Sequence, residues 1–80
     1  MTVFMCKVYD GRLGDWVDIG VFSTCARAME KGSIYILNAC GEVTLIDWDH
    51  DANVYTDWYL SKQGQVFTRV VTEAVIDKEL

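Results

Sequence analysis

The stretch Asp15-Trp16-Val17-Asp18-Ile19-Gly20-Val21-Phe22-Ser23-Thr24-Cys25-Ala26-Arg27-Ala28-Met29-Glu30-Lys31-Gly32 is where the apolar period changes from two to helical within a few residues. Val17, Ile19 and Val21 alternate with Trp16, Asp18 and Gly20, which predicts a strand with three branched side chains on one face. Ser23 or Thr24 can then cap a helix by accepting from a free amide. Ala26, Ala28 and Met29 favour its continuation, Lys31 suits its negative end, and Gly32 suits a left-handed stop. A helix of about two turns is expected, packing Ala26 and Met29 on a sheet.

Around this element every other segment reads as strand or turn. Residues 2–9 place Val3, Met5 and Tyr9 on one side and Phe4, Cys6 and Val8 on the other, as an interior strand does. Asp10-Gly11-Arg12-Leu13-Gly14 joins it to the next strand as a hairpin. After the helix, Ile34 to Leu37 is read as a third strand, Asn38-Ala39-Cys40-Gly41 as a turn, and Glu42 to Trp48 as a fourth strand. Residues 54–60 fit a helical face or a strand face; their β-branched and aromatic content decides for strand. Gln65 to about Ile76 forms the last strand. The expected fold is a single α+β domain over residues 1–80, an antiparallel sheet of about six strands with one short helix, in the order β-β-α-β-β-β-β.

Eighty residues lie near the size at which one hydrophobic core becomes marginal, and burial by a partner or a second copy often adds to it. The three cysteines, Cys6, Cys25 and Cys40, are odd in number and widely spaced, so neither a disulfide framework nor a zinc site is indicated. A reducing cytoplasm fits that usage. The N-terminal run is interrupted by Lys7 and lacks a basic lead, unlike a signal peptide. The terminal Asp77-Lys78-Glu79-Leu80 has the wrong residue order for a retention signal.

Gly20-Val21-Phe22-Ser23-Thr24 leading into Ala28, after a hairpin, resembles the strand-to-helix step of small α+β proteins from phages and mobile elements. In size and acidity the chain is also similar to phage-encoded inhibitors of host defence of the anti-CRISPR kind. That resemblance implies a non-enzymatic protein that blocks a host complex by contact. It carries over no functional residue.

The net charge of −5 argues against direct binding of duplex nucleic acid, which requires Lys and Arg against phosphate. Between Gly32 and Ser61 there is no Lys or Arg, while Glu42, Asp47, Asp49, Asp51 and Asp57 lie there. Asp47 to Asn53 has the alternating oxygens of a calcium loop, but Ala52 and Trp58 stand where an EF-hand needs Gly and Glu, so no metal is expected. His50 has no second imidazole or thiolate nearby in sequence. Cys25 sits in the first helical turn, where a thiol can be activated, although packing beside Ala26 is the commoner outcome. No cofactor and no catalytic residue is indicated.

The aromatic residues carry the remaining functional signal, since Trp and Tyr dominate interface energetics and in a small core also fill space. Asp47, Trp48, Asp49, Asp51, Asp57 and Trp58 are therefore the expected contact surface for a larger basic host protein or nucleoprotein complex. Three carboxylates spaced by ~6.6–6.8 Å are too sparse to copy duplex DNA, which carries one charge per ~1.7 Å, so Asp10, Asp15 and Asp18 would have to join them. The alternative is a structural or regulatory homodimer whose acidity serves solubility.

Overall fold

A computed structural model describes residues 1–76; the Asp77–Leu80 tetrapeptide lies outside the described residues. Five strands and one helix follow in the order β1 (Thr2–Asp10), β2 (Asp15–Phe22), α1 (Cys25–Cys40), β3 (Val43–Asp51), β4 (Val54–Ser61) and β5 (Val66–Val75). All strand pairs are antiparallel, and the sheet order is β2-β1-β5-β4-β3. The first and last strands thus pair at the centre, and β2 and β3 are the two edges.

The expected α+β class and antiparallel sheet hold, with five strands in place of about six. The strand expected over Ile34 to Leu37, and the turn after it, belong to a helix of 16 residues. Thr24 caps it, its hydroxyl oxygen accepting from the Arg27 amide at 3.2 Å. The stop is Gly41, not Gly32. Gly41 has φ +77° and its amide donates to the Leu37 carbonyl at 2.7 Å.

Gly32 lies in the middle of the buried stripe Ala28, Gly32, Ile36. A side chain there would stand 2.8 Å from Cδ of Arg69 and 3.0 Å from Sγ of Cys6. The missing Cβ lets the helix backbone approach the sheet at that point. Ala28, rather than the exposed Ala26, makes the contact one turn earlier, with Met29 half-buried beside it. The core has two lobes along this stripe: Cys6, Ala28 and Val71, then Val8, Ile36 and Phe67. Burial in the first lobe pushes the Cys6 thiol up to about 11, against the opposing pull of Arg69.

Two buried charges are paired across this layer. The Asp10 carboxylate, fully enclosed, accepts from the Arg12 amide, from Nε and Nη2 of Arg12, and from the Tyr35 hydroxyl at 2.6 Å. The Arg12 hydrogen bonds outweigh desolvation and hold its pKa well below the usual carboxylate range. Arg12 also donates to the Ala39 carbonyl at the helix C-terminus, tying the first hairpin to α1. Arg69, only 8% exposed, donates to Asp57, to the Met29 carbonyl and to Ser33. Among the described residues no buried side-chain polar atom lacks a partner.

A helix about 10–12 Å wide can cover only half of a five-stranded sheet some 24 Å across. Here α1 packs on β1, β2 and β5 and reaches only the start of β3, and among the described residues no helix or second sheet covers the opposite face, where Val3 alone is buried.

Candidate functional site: an acidic sheet edge

Each edge strand carries one extra residue. In β2 the register with β1 shifts between Cys6 and Lys7, so that Gly20 pairs with Cys6 and Asp18 with Lys7, leaving Ile19 unpaired. The expectation that Val17, Ile19 and Val21 share a face fails at this bulge. Ile19 packs in the core, whereas Val21 pairs with Met5 on the open face and is 60% exposed.

In β3 the corresponding shift falls between Leu45 and Asp47, with Ile46 as the extra residue. Strict alternation from Val43 would direct Asp47, Asp49 and Asp51 toward the helix side. The bulge reverses that sense. Val43 packs against the Ile36 lobe, while Asp47, Asp49 and Asp51 pair with Trp58, Thr56 and Val54 on the open face. The three carboxylates line up along an outer strand that is exposed over nearly its whole length.

The pairing registers give the open face a grid. One row reads Trp16, Tyr9, Thr68, Trp58, Asp47; the next Asp18, Lys7, Val70, Thr56, Asp49; the third Val21, Met5, Thr72, Val54, Asp51. Tyr9 and Trp16 meet edge to face with ring centroids 5.5 Å apart, and the Lys7 ammonium lies 4.6 Å from the Trp16 ring centroid. Three carboxylates therefore line the β3 margin of the face and Asp18 stands at the β2 margin, with apolar and hydroxyl side chains and Lys7 between them.

The six residues expected to act together are divided by this geometry. Asp47, Asp49, Asp51 and Trp58 share the open face. Trp48 and Asp57, paired with each other, point to the helix side. Asp57 is engaged by Arg69 at 2.5 Å and is largely enclosed, so its carboxylate serves the core. Trp48 is 67% exposed, the most exposed aromatic side chain among the described residues, and stands on the same edge strand between Asp47 and Asp49. His50 stacks on Tyr55 with centroids 4.0 Å apart, on the Trp48 side.

The Arg69–Asp57 pair escaped sequence reading. Its signal was an Arg at the buried phase of a strand, between Phe67 and Val71, where a cation requires a carboxylate. The three ion pairs of the described residues use Asp10, Glu42 and Asp57, and none involves Asp47, Asp49 or Asp51. No group of three or more His, Cys, Asp or Glu side chains converges as a metal site among the described residues. No described helix is long and apolar enough to cross a membrane. No protein family, curated protein or solved structure was found to match this chain.

Proposed function

We propose that this protein is a non-enzymatic interaction module whose β3 edge docks on a basic, nucleic-acid-binding surface of a larger host protein, in the manner of phage-encoded inhibitors of host defence. The observation that carries this reading is the column Asp47, Asp49, Asp51, exposed on one face of an edge strand and free of ion pairs among the described residues. Concentrated charge of one sign raises association rate and selects a partner of opposite sign. Trp48, on the other side of the same strand, supplies the short-range anchor that screened carboxylates lack. A partner reaching over the edge meets acid on one side and indole on the other.

The rival role for the acids is protection of an open edge, since charge and a bulge both discourage strand addition. The two separate experimentally. Immobilised wild-type chain is used to capture proteins from a bacterial host lysate at low salt, followed by elution with rising salt. A basic nucleic-acid-binding protein that elutes as salt rises, and that the Asp47→Asn/Asp49→Asn/Asp51→Asn variant does not capture, supports docking. A variant that aggregates yet captures the same protein with the same elution profile leaves only edge protection.

A further inference from the structure

We propose that the open face of the sheet pairs with the same face of a second copy, across a two-fold axis running parallel to β5. This does not depend on the docking role of the β3 edge. Monomeric proteins rarely expose a contiguous apolar patch larger than a few hundred Å². Here five strands at ~4.8 Å and eight residues at ~3.4 Å make a whole face of roughly 24 by 27 Å, on the order of 650 Å², with Asp18, Lys7, Asp47, Asp49 and Asp51 standing among its apolar side chains. Met5, Trp16, Val21, Leu60 and Val66 on that face are each between 39% and 60% exposed. Two such faces together bury on the order of 1,300 Å², within the ~1,200–2,000 Å² of a specific interface.

Charge selects the axis. A two-fold axis perpendicular to the strands stacks the column Asp47, Asp49, Asp51 on its own copy, carboxylate against carboxylate. An axis parallel to β5 keeps the rows and reverses their order. The acid column then lies over β2 of the second copy, with Asp47 over Trp16, Asp49 over Asp18 and Asp51 over Val21, and Lys7, the only cation of the face among the described residues, stands one strand in from that edge. Tyr9 meets Trp58, Met5 meets Val54, and Val70 meets itself near the axis. The acid columns end on opposite rims, where water screens them, and both β3 edges stay accessible. Among the described residues each face still carries one cation, Lys7, against four carboxylates, Asp18 included, so residual repulsion predicts tighter association as salt rises. That dependence is opposite in sign to the one expected for docking on a basic partner.

The test joins mass to register. Sedimentation equilibrium of the full chain across the micromolar range is run at low and high salt, and a mixture of ¹⁴N- and ¹⁵N-labelled chains is treated with a zero-length carbodiimide. In one copy Lys7 and Asp49 are three strands, ~14 Å, apart, too far for direct amide formation. The expected result is a dimer tightened by salt, with isotopically mixed Lys7–Asp49 or Lys7–Asp47 links. Val70→Lys should weaken association at least ~10-fold, because it buries an unpaired charge at the axis. Should that variant fail to fold, dilution of the Trp48→Phe chain replaces it: Trp16 and Trp58 emission should shift red as the dimer separates. A monomer mass independent of concentration at both salts overturns the proposal, and mixed links confined to Lys7–Asp18 overturn the axis.

Discussion

Arg69 Cδ stands 2.8 Å from the point a Cβ on Gly32 would occupy, so the mid-helix glycine and the buried arginine are two halves of one contact. The guanidinium passes beneath the helix to reach the Met29 carbonyl, Ser33 and Asp57. In an exposed helix, Gly→Ala stabilises by about 1 kcal/mol. At position 32 the sign should reverse. Overpacking costs about 1–3 kcal/mol where neighbours cannot yield, and Arg69 is held at its far end by three partners. Gly32→Ala is expected to lose about 1–2 kcal/mol in urea unfolding; a gain would show that the helix does not approach the sheet as closely as this.

That contact is also why sequence reading stopped the helix too soon. Lys31-Gly32 is a common helix ending, and Ile34-Tyr35-Ile36-Leu37 has the branched and aromatic content of a strand. The tertiary fact that overrides both is the Arg69 side chain, thirty-seven positions away, needing room. A subtler signal was present: Ala28, Gly32 and Ile36 recur at four residues and continue the helical stripe. Strand alternation was legible in β1 and β5 and failed at Ile19 and Ile46, because a bulge changes phase without a compositional mark. The spacing of Asp47, Asp49 and Asp51 aligns them on one face only because β3 runs on to Asp51, whereas sequence reading ends that strand at Trp48 and takes Asp49 to Asn53 as a polar turn. Alternation along the same strand sends Trp48 to the other face, whereas the place of Asp57 depends on pairing with β3 and on Arg69.

The Asp10 carboxylate should be the main source of acid sensitivity. Asp10→Asn leaves the Arg12 guanidinium and the Tyr35 hydroxyl without their anionic partner, and removing one member of a buried pair costs about 3–5 kcal/mol. Arg12 is partly exposed and recovers some hydration, so a loss near 3 kcal/mol is expected. The folded pKa of Asp10 is depressed, so its contribution is fully present above the ordinary value of about 4 and declines as pH falls toward the folded value. Urea unfolding of both chains from pH 7 to pH 2 should show the gap constant down to about pH 4 and narrowing below. A gap that widens on acidification would contradict this linkage.

Ala52 begins the two-residue turn between β3 and β4 with φ +50°, a conformation that glycine adopts freely and alanine does not. Ala52→Gly should therefore stabilise by up to about 1 kcal/mol, against the usual trend for that substitution. Thermal unfolding checks it, and a lower midpoint for the variant would mean that the hairpin turns differently.

The central claim is that the β3 edge, and not acidity in general, recognises a basic partner. The most direct measurement compares two triple variants of equal net charge against the captured partner: Asp47→Asn/Asp49→Asn/Asp51→Asn on the edge, and Asp15→Asn/Glu30→Gln/Glu42→Gln elsewhere on the exposed surface. Affinity is measured for each over a range of salt concentrations. The edge variant should bind at least ~10-fold more weakly at low salt and show a flattened salt dependence, while the other stays near wild type. Equal losses in the two variants, or none in the edge variant, would contradict the account.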